Sequence, residues 1–152
     1  MIAKVIPARG SDAVKQFSVF TANRLGRLHD LVKLLNSHEV HVLALTVLDT
    51  TDSSILRFVV DDPERARELL LEHGFPFNES ELLAVELGSA TRLNDLMAAL
   101  LEAELNVNYL YSFIPQPQGK SILALSMEDN EMAEQTLKRH QFRVLRQPDI
   151  SR

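Results

Sequence analysis

The chain contains an internal repeat, and this repeat limits the folds that it can adopt. The segment 26–45 aligns without gaps with 91–110, an offset of 65 residues, and 55–75 aligns with 122–142, an offset of 67. Identical residues at matching positions include Arg27/Arg92, Leu31/Leu96, Asp62/Asp129, His73/His140 and Phe75/Phe142. Two copies are too few for a solenoid, so the repeat predicts two similar units of about 65–70 residues. Because units of that length are marginally stable alone, we expect each to support the core of the other.

The change of offset locates an insertion of two residues in the second copy. It falls in the segment 115–119, PQPQG, whose prolines and glycine are typical of a loop. In the first copy the matching residues are 50–52, which lie inside the segment 49–53, DTTDS, a predicted polar turn.

Hydrophobic periodicity predicts the same order of elements in both copies: strand, helix, strand, strand, helix, strand. In the first copy we expect strands at 14–20, 40–48, 54–60 and 78–87 and helices at 26–37 and 63–73. In the second copy we expect strands at 82–87, 107–114, 121–127 and 142–145 and helices at 91–104 and 129–140. This is the order of the ferredoxin-like fold. We therefore predict an α+β protein of two tandem ferredoxin-like βαββαβ units, each with an antiparallel sheet that carries its helices on one face.

The predicted division of the chain places the first unit at 13–80 and the second at 81–146. An N-terminal tail, or a short extra strand, is expected at 1–12. A disordered C-terminal tail is expected at 147–152.

The strands also predict where the units meet. Val107, Tyr109, Tyr111 and Phe113 alternate along one strand and should share a face, and both faces of the strand at 40–48 are largely apolar. A sheet with one face in water should alternate more cleanly between apolar and polar residues. We infer that part of the helix-free surface is buried, either against the sister unit or against a second chain.

Composition excludes several classes of function. The net charge of -5 argues against non-specific binding of nucleic acid, and the absence of cysteine excludes a disulfide framework, a thiolate zinc site and a cysteine nucleophile. No apolar run approaches the roughly 20 residues of a membrane span, and the N-terminus does not resemble a signal peptide, so a cytoplasmic protein with no membrane contact is expected. The motifs GxSxG, GxGxxG and the Walker loop are missing. The histidines form no HExxH or similar cluster, and His38 and His41, three residues apart, give only a weak metal spacing. We therefore predict no catalytic residue, no metal and no cofactor, and a protein that is not an enzyme.

The turn between the first strand and the first helix is the best candidate for a ligand site. A helix that begins at such a turn offers free backbone N–H groups and the positive end of its dipole, which suit a carboxylate or phosphate. Gly26 would permit a close approach and a positive φ, and the amide of Asn23 can both donate and accept hydrogen bonds. Asp49 or Asp52 could pair with an ammonium group if the fold brings them near. The alternative is that these residues form ordinary turns.

The segment 23–28, NRLGRL, resembles the first turn of the ACT-domain family, which typically carries Asn-x-Pro-Gly-x-Leu there. Leu25 stands in place of the proline. The segments 42–45, 49–50 and 56–63 are similar to the body of the first unit of tandem ACT proteins, and 106–113 is similar to the matching strand of the second unit. The resemblance covers about residues 14 to 145 and is carried by these pieces together.

The resemblance implies a regulatory protein rather than a catalyst. It implies an allosteric sensor that binds an amino acid or another small molecule near the first strand-to-helix turn, at an interface between units or in a homodimer, and acts on a regulated partner protein. The ligand-binding residues that it implies are Asn23, Arg24, Leu25, Gly26, Arg27, Asp49 and Thr50. The matching turn of the second copy is 88–91, GSAT, without the asparagine, so we expect one such site per chain or none. The alternative is a protein-interaction module that has lost ligand binding, which Leu25 and the altered second turn favour.

Overall fold

The computed structural model describes residues 12–22 and 25–151, which form seven strands and five α-helices. The first copy contains β1 Val14–Ala22, α1 Leu25–Ser37, β2 Val42–Asp49, β3 Ser53–Val60 and α2 Pro63–Glu72. The strand β4, Phe77–Glu86, follows. The rest is α3 Arg92–Glu102, β5 Val107–Ser112, β6 Ile122–Met127, α4 Asn130–Arg139, β7 Arg143–Leu145 and α5 Gln147–Ile150. The α+β fold of tandem ferredoxin-like units is confirmed, and the N-terminal tail predicted at 1–12 lies outside the described residues apart from Asp12.

One long strand belongs to both units. The strand order is β2-β3-β1-β4-β6-β5, and β7 also pairs with β4. The first part of β4 pairs with β1 up to Leu82, and from Leu83 to Glu86 it pairs with β6. β4 therefore closes the first ferredoxin-like unit and opens the second. The predicted division between residues 80 and 81 falls inside this strand and stays a prediction.

The repeated residues build the same helix caps in both units. The side chain of Asp62 accepts a hydrogen bond from the backbone N–H of Arg65 (3.2 Å) at the start of α2, and Asp129 accepts one from Met132 (3.0 Å) at the start of α4. Such caps satisfy backbone donors that the helix leaves free. These aspartates therefore recur because the two helices begin in the same way.

Three apolar clusters organise the interior. One lies between the helices and the sheet of the first unit, and another lies in the equivalent place of the second. The third joins the helix-free faces of both units and includes Val14, Val59, Tyr111 and Phe113. The edge strands also meet, since the backbone N–H of Ile114 donates to the carbonyl oxygen of Leu43 at 2.7 Å. The predicted burial of the helix-free surface against the sister unit is therefore confirmed.

A shift of register corrects one expected face. The pairing of β5 with β6 is irregular between Val107 and Tyr109. Val107 packs against the helix-side core of the second unit, whereas Tyr109, Tyr111 and Phe113 face the first unit. The expectation that all four side chains share a face was wrong for Val107, because a bulge adds one residue and breaks the alternation. An equivalent shift lies between Val42 and Ala44 of β2.

Residues 147–151 are ordered, which corrects the prediction of a disordered tail there, and Arg152 lies outside the described residues. Residues Gln147–Ile150 form α5, and the Gln147 side chain is buried. Its Oε1 accepts a hydrogen bond from the backbone N–H of Lys15 (3.0 Å), and its Nε2 donates to the carbonyl oxygen of Val60 (3.2 Å). One polar side chain thus satisfies backbone groups of β1 and β3, and a segment of polar composition becomes part of the packed fold.

Candidate functional site

The predicted site residues come from two connections at the same end of the first unit's sheet. Ala22, the last residue of β1, pairs with Ser53, the first residue of β3. Asp49, the last residue of β2, pairs with Ser54. The connection from β1 to α1 and the turn from β2 to β3 are therefore neighbours on adjacent strands. Their proximity is what the expected site requires.

The structure describes only the backbone of Leu25 among the first three residues of the predicted turn. Asn23 and Arg24 lie outside the described residues. Leu25 is the first residue of α1. The structure therefore places the start of the helix and the strand before it, and the roles of these three side chains stay predictions.

The expected positive φ of Gly26 was wrong, whereas the close approach of a ligand to it stays a prediction. Gly26 lies in the first turn of α1 and is exposed, and it is not among the glycines with positive φ, which are Gly74, Gly88 and Gly119. A Cβ added there would meet no described atom within 4 Å. Because the position is helical, neither a left-handed conformation nor a tight approach of the protein's own atoms requires glycine there. The open space around it leaves room for a ligand.

Arg27 has a structural role that its counterpart in the second unit shares. Its guanidinium lies 4.5 Å from the centre of the Phe75 ring, and that of Arg92 lies 4.2 Å from the centre of the Phe142 ring. Contacts of this kind stabilise a cation over an aromatic face. The recurrence of arginine at this position is thus explained by packing between the first helix of each unit and the end of the second helix.

Asp49 and Thr50 close the turn between β2 and β3. The Asp49 carboxylate accepts a hydrogen bond from Ser54 Oγ at 2.8 Å. The backbone N–H and the hydroxyl of Thr50 each donate to the carbonyl oxygen of Ser53 at 2.8 Å. The structural alternative, a hairpin turn, is therefore present. The Asp49 carboxylate retains capacity for further donors, because an ionised carboxylate has about four lone-pair sites.

An apolar row crosses the helix-free face beside this site. Leu48, Ile55 and Phe20 are paired across β2, β3 and β1. Phe20 is 37% exposed and Leu48 is 48% exposed, so the second unit leaves this end of the face uncovered. We call Leu48, Ile55 and Phe20 the exposed apolar row. In the sequence, Val14, Gln16, Ser18 and Phe20 alternate along β1, which indicates that they share one face of the sheet. The sequence alone does not show which end of that face the second unit covers.

A polar network that sequence reasoning missed separates this row from the buried contact between the units. Arg57 lies 4.2 Å from the centre of the Tyr109 ring, and its Nε is buried without a hydrogen-bond partner among the described residues. The fully buried Gln16 donates from Nε2 to the Tyr109 hydroxyl (2.7 Å) and accepts at Oε1 from the Tyr111 hydroxyl (2.6 Å). The Arg57 cation thus lies beside the exposed apolar row, as Arg57 pairs with Thr46 and Ser18 in the next row of the sheet.

Burial raises the pKa of the Tyr111 hydroxyl far above its ordinary value. The neighbouring Tyr109 raises this pKa further, and the Arg57 charge opposes the shift. The raised pKa favours the protonated hydroxyl, which donates to Gln16.

No group of three or more histidine, aspartate or glutamate side chains in the described part of the chain is arranged to hold a metal ion. Of the helices in residues 25–151, none is both long enough and apolar enough to cross a membrane.

The two ferredoxin-like units, packed through their helix-free faces and sharing β4, form a tandem domain pair. A family model described as an ACT domain pair matches residues 12–152. The chain therefore belongs to the ACT-domain family, whose domains are regulatory rather than catalytic, and the resemblance seen in the sequence is confirmed.

Solved structures share this fold. The chain is similar to protein BT0572 from Bacteroides thetaiotaomicron, with 23% identity and a TM-score of 0.82 over 91% of this chain and 95% of that one. It is also similar to the regulatory subunit of aspartate kinase from Thermus thermophilus, with 13% identity and a TM-score of 0.58 over 84% and 91% of the two chains. The subunit from Thermus flavus gives 14% identity and a TM-score of 0.56 over 84% and 92%. No curated protein matches the chain.

Proposed function

We propose that this ACT domain pair is a non-catalytic regulatory protein that responds to an amino acid or a similar small molecule. Its ligand site lies where the connection from β1 to α1 meets the turn from β2 to β3. The observation that carries this proposal is the uncovered end of the first unit's helix-free face, which presents the exposed apolar row beside both turns. The regulatory character of ACT domains supports it.

The chemistry of this end of the sheet suits a zwitterion. The first N–H groups of α1 and the helix dipole favour a carboxylate. The amide of Asn23 supplies a donor and an acceptor, Arg24 and Arg27 add positive charge, and Leu25 and Gly26 begin the helix whose N–H groups meet the ligand. Asp49 accepts the ammonium group, with the Thr50 hydroxyl beside it. Arg27 takes part through its charge while its guanidinium stays on Phe75.

A homodimer completes the proposed site. The exposed apolar row adjoins the turn from β2 to β3, because Leu48 directly precedes Asp49. A second copy related by a two-fold axis would cover the same row on both chains. A ligand bound at that contact favours one arrangement of the dimer over others and passes this preference to a regulated protein partner. The expected cytoplasmic location is part of this proposal.

A thermal melt with each common amino acid tests the proposal. A ligand at a hundred times its dissociation constant adds roughly 2.7 kcal/mol to the free energy of unfolding. For a chain of this length that corresponds to a rise in Tm of about 5–10 °C. We expect one amino acid to give such a rise, Asn23→Ala to abolish it, and the matched variant Ser89→Ala in the second unit to leave it intact.

A second candidate function is a protein-interaction module without a ligand. The exposed apolar row favours it, because Phe20 and Leu48 are large apolar side chains in water at the uncovered end of a sheet face. A melt that no amino acid shifts would reject the ligand proposal and leave this candidate.

A further inference from the structure

A row of polar side chains crosses the helix-free face of the first unit, beside the exposed apolar row. Arg57 of β3 is paired with Thr46 of β2 and with Ser18 of β1, and Ser18 is paired in turn with Asn78 of β4. The guanidinium of Arg57 lies on the ring of Tyr109, which places it on the helix-free face. Directly paired residues of neighbouring strands lie on the same face of a sheet. We call Thr46, Arg57, Ser18 and Asn78 the polar row.

The positive charge of Arg57 has no aspartate or glutamate partner in this chain. The side chain is half-buried, its Nε is buried without a hydrogen-bond partner, and it forms no ion pair with a carboxylate of residues 12–22 and 25–151. The remaining residues, 1–11, 23, 24 and 152, include no aspartate or glutamate. A cation that is partly withdrawn from water without a counter-charge is unfavourable. An anion from outside the chain would therefore be favoured at this position.

The second unit holds Arg57 in place. The guanidinium carbon lies 4.2 Å from the centre of the Tyr109 ring, and the Tyr109 hydroxyl accepts a hydrogen bond from Nε2 of the fully buried Gln16 at 2.7 Å. A cation over an aromatic face is stabilised there. Because the guanidinium is already positioned, a ligand that binds its Nη groups pays less for ordering the side chain.

The fold itself does not require this polar pair. At the offsets of 65 and 67 the counterparts of Thr46 and Arg57 are Tyr111 and Ala124, and these two residues are also paired with each other. Both counterparts are buried in the cluster that joins the units. An apolar pair therefore fills this place where it is covered, and the polar pair occurs only at the open end of the face.

The surroundings of Arg57 indicate the chemistry of the ligand. The hydroxyls of Thr46 and Ser18 and the amide of Asn78 can each donate a hydrogen bond, as a carboxylate requires. The polar row contains no carboxylate that could accept an ammonium group. Ile55 of the exposed apolar row is two residues from Arg57 along β3, which corresponds to about 7 Å, the length of a short carbon chain. The pattern therefore suits an anion with an apolar body and no ammonium group.

We propose that the polar row binds a small amphipathic carboxylate, of the class of the branched-chain and aromatic monocarboxylates. The carboxylate contacts the Nη groups of Arg57 and the neighbouring hydroxyls, and the apolar body lies against Ile55 and Phe20. This site goes beyond the proposed function, because it takes no zwitterion and uses neither the start of α1 nor the turn from β2 to β3. A second copy on the exposed apolar row would compete with this ligand.

Amide NMR spectra of the full chain test this site, at a protein concentration where sedimentation velocity shows the monomer. The probes are 4-methylpentanoate and phenylacetate at millimolar concentration. We expect at least one of them to shift the amide signals of Ser18, Thr46 and Arg57 in a saturable way.

Three matched compounds define the ligand class. The uncharged 4-methylpentanamide lacks the carboxylate, inorganic phosphate lacks the apolar body, and L-leucine adds an ammonium group. The amide should bind at the polar row at least about tenfold more weakly than 4-methylpentanoate, because hydrogen bonds to a charged group are stronger than those between neutral groups. Phosphate and L-leucine should also bind there more weakly than 4-methylpentanoate.

Variants separate a built site from a chance contact. Arg57→Gln removes the cation and should weaken binding by about tenfold or more. Thr46→Glu leaves Arg57 in place but puts a carboxylate directly opposite it, so this variant should block binding without a fall in Tm. Arg65→Gln, on the helix α2 at the other face of the sheet, should bind as the original chain does.

Three results would overturn this site: no saturable shift with either probe, binding that both Arg57→Gln and Thr46→Glu leave intact, or binding of phosphate or L-leucine at the polar row as tight as that of the monocarboxylates. Shifts by L-leucine that are confined to α1 and the turn from β2 to β3, and that Asn23→Ala abolishes, would support the proposed function alone. The two proposals can therefore fail separately.

Discussion

The two units are built alike where the fold needs it and differ where a ligand would bind. Both cap their second helix with an aspartate, and both place an arginine of the first helix over a phenylalanine ring. They differ in the first turn, in the loop between the middle strands and in the presence of α5. Residues that recur in both units are therefore poor markers of a binding site, and residues present in one unit only are better ones.

The same position can have opposite burial in the two units. Phe113 corresponds to Leu48 at the offset of 65, since 113 minus 65 is 48. Phe113 is 5% exposed in the contact between the units, while Leu48 is 48% exposed. The second unit covers one end of the first unit's face and leaves the other end open, so an equivalent residue is core in one unit and surface in the other.

Substitution of Phe113 and Leu48 should give the largest difference in the free energy of unfolding between equivalent positions of the two units. Phe113→Ala should lower the free energy of unfolding by about 3–5 kcal/mol, because it leaves a cavity in the cluster that joins the units. The matched variant Leu48→Ala should change it by less than about 0.5 kcal/mol in the monomer. Urea unfolding measures both. Equal losses for the two variants would show that the units do not pack as described, and weaker self-association of Leu48→Ala would support the proposed dimer.

Sequence reasoning succeeded for the order of elements because each helix and strand carries its own periodicity. The caps at Asp62 and Asp129 are also local, since each aspartate accepts a hydrogen bond from a backbone N–H three residues away. The local signals were sufficient for features that local contacts decide.

Features that depend on distant residues escaped the sequence. Gln16 is polar and lies in a strand, which is typical of a solvent-facing position, yet its partners Tyr109 and Tyr111 come from the other unit. Gln147 joins β1 and β3 from the far end of the chain. No pattern within ten or fifteen residues contains this information, and only the packed fold supplies it.

The next largest effect on the free energy of unfolding is expected at Gln147 of α5, the helix that the first unit lacks. Gln147→Ala removes hydrogen bonds to backbone groups of Lys15 and Val60 and should cost about 1–3 kcal/mol. Gln135→Ala, at an exposed position of α4, should cost less than about 0.5 kcal/mol. Hydrogen exchange at Lys15 should become faster in Gln147→Ala alone. An unchanged free energy of unfolding would indicate that α5 contacts the sheet without stabilising it.

An ion pair between a helix and the strand region beside it occurs in both units with its charges exchanged. In the first unit Arg67 of α2 pairs with Glu79 of β4 through hydrogen bonds of 2.6 and 2.7 Å. The matching positions at the offset of 67 are 134 and 146, where Glu134 of α4 pairs with Arg146 after β7. The helix residue of this contact is therefore basic in the first unit and acidic in the second, and its partner carries the opposite charge.

The smallest expected effect comes from reversing this pair. Arg67→Glu alone places two carboxylates together and should cost about 1 kcal/mol, whereas Arg67→Glu combined with Glu79→Arg should restore most of that loss, because the second unit already uses this polarity.

The hydrogen bonds from Arg67 lower the pKa of Glu79, against the opposing effect of burial. The pair's stabilisation is therefore complete above the ordinary carboxyl pKa of 4.5 and is lost as the pH falls through the lower pKa of the folded protein. Urea unfolding of the original chain and of Glu79→Gln should accordingly differ at pH 7 and converge in acid. A double variant no more stable than Arg67→Glu would mean that the two units, despite their common backbone, are not interchangeable at this contact.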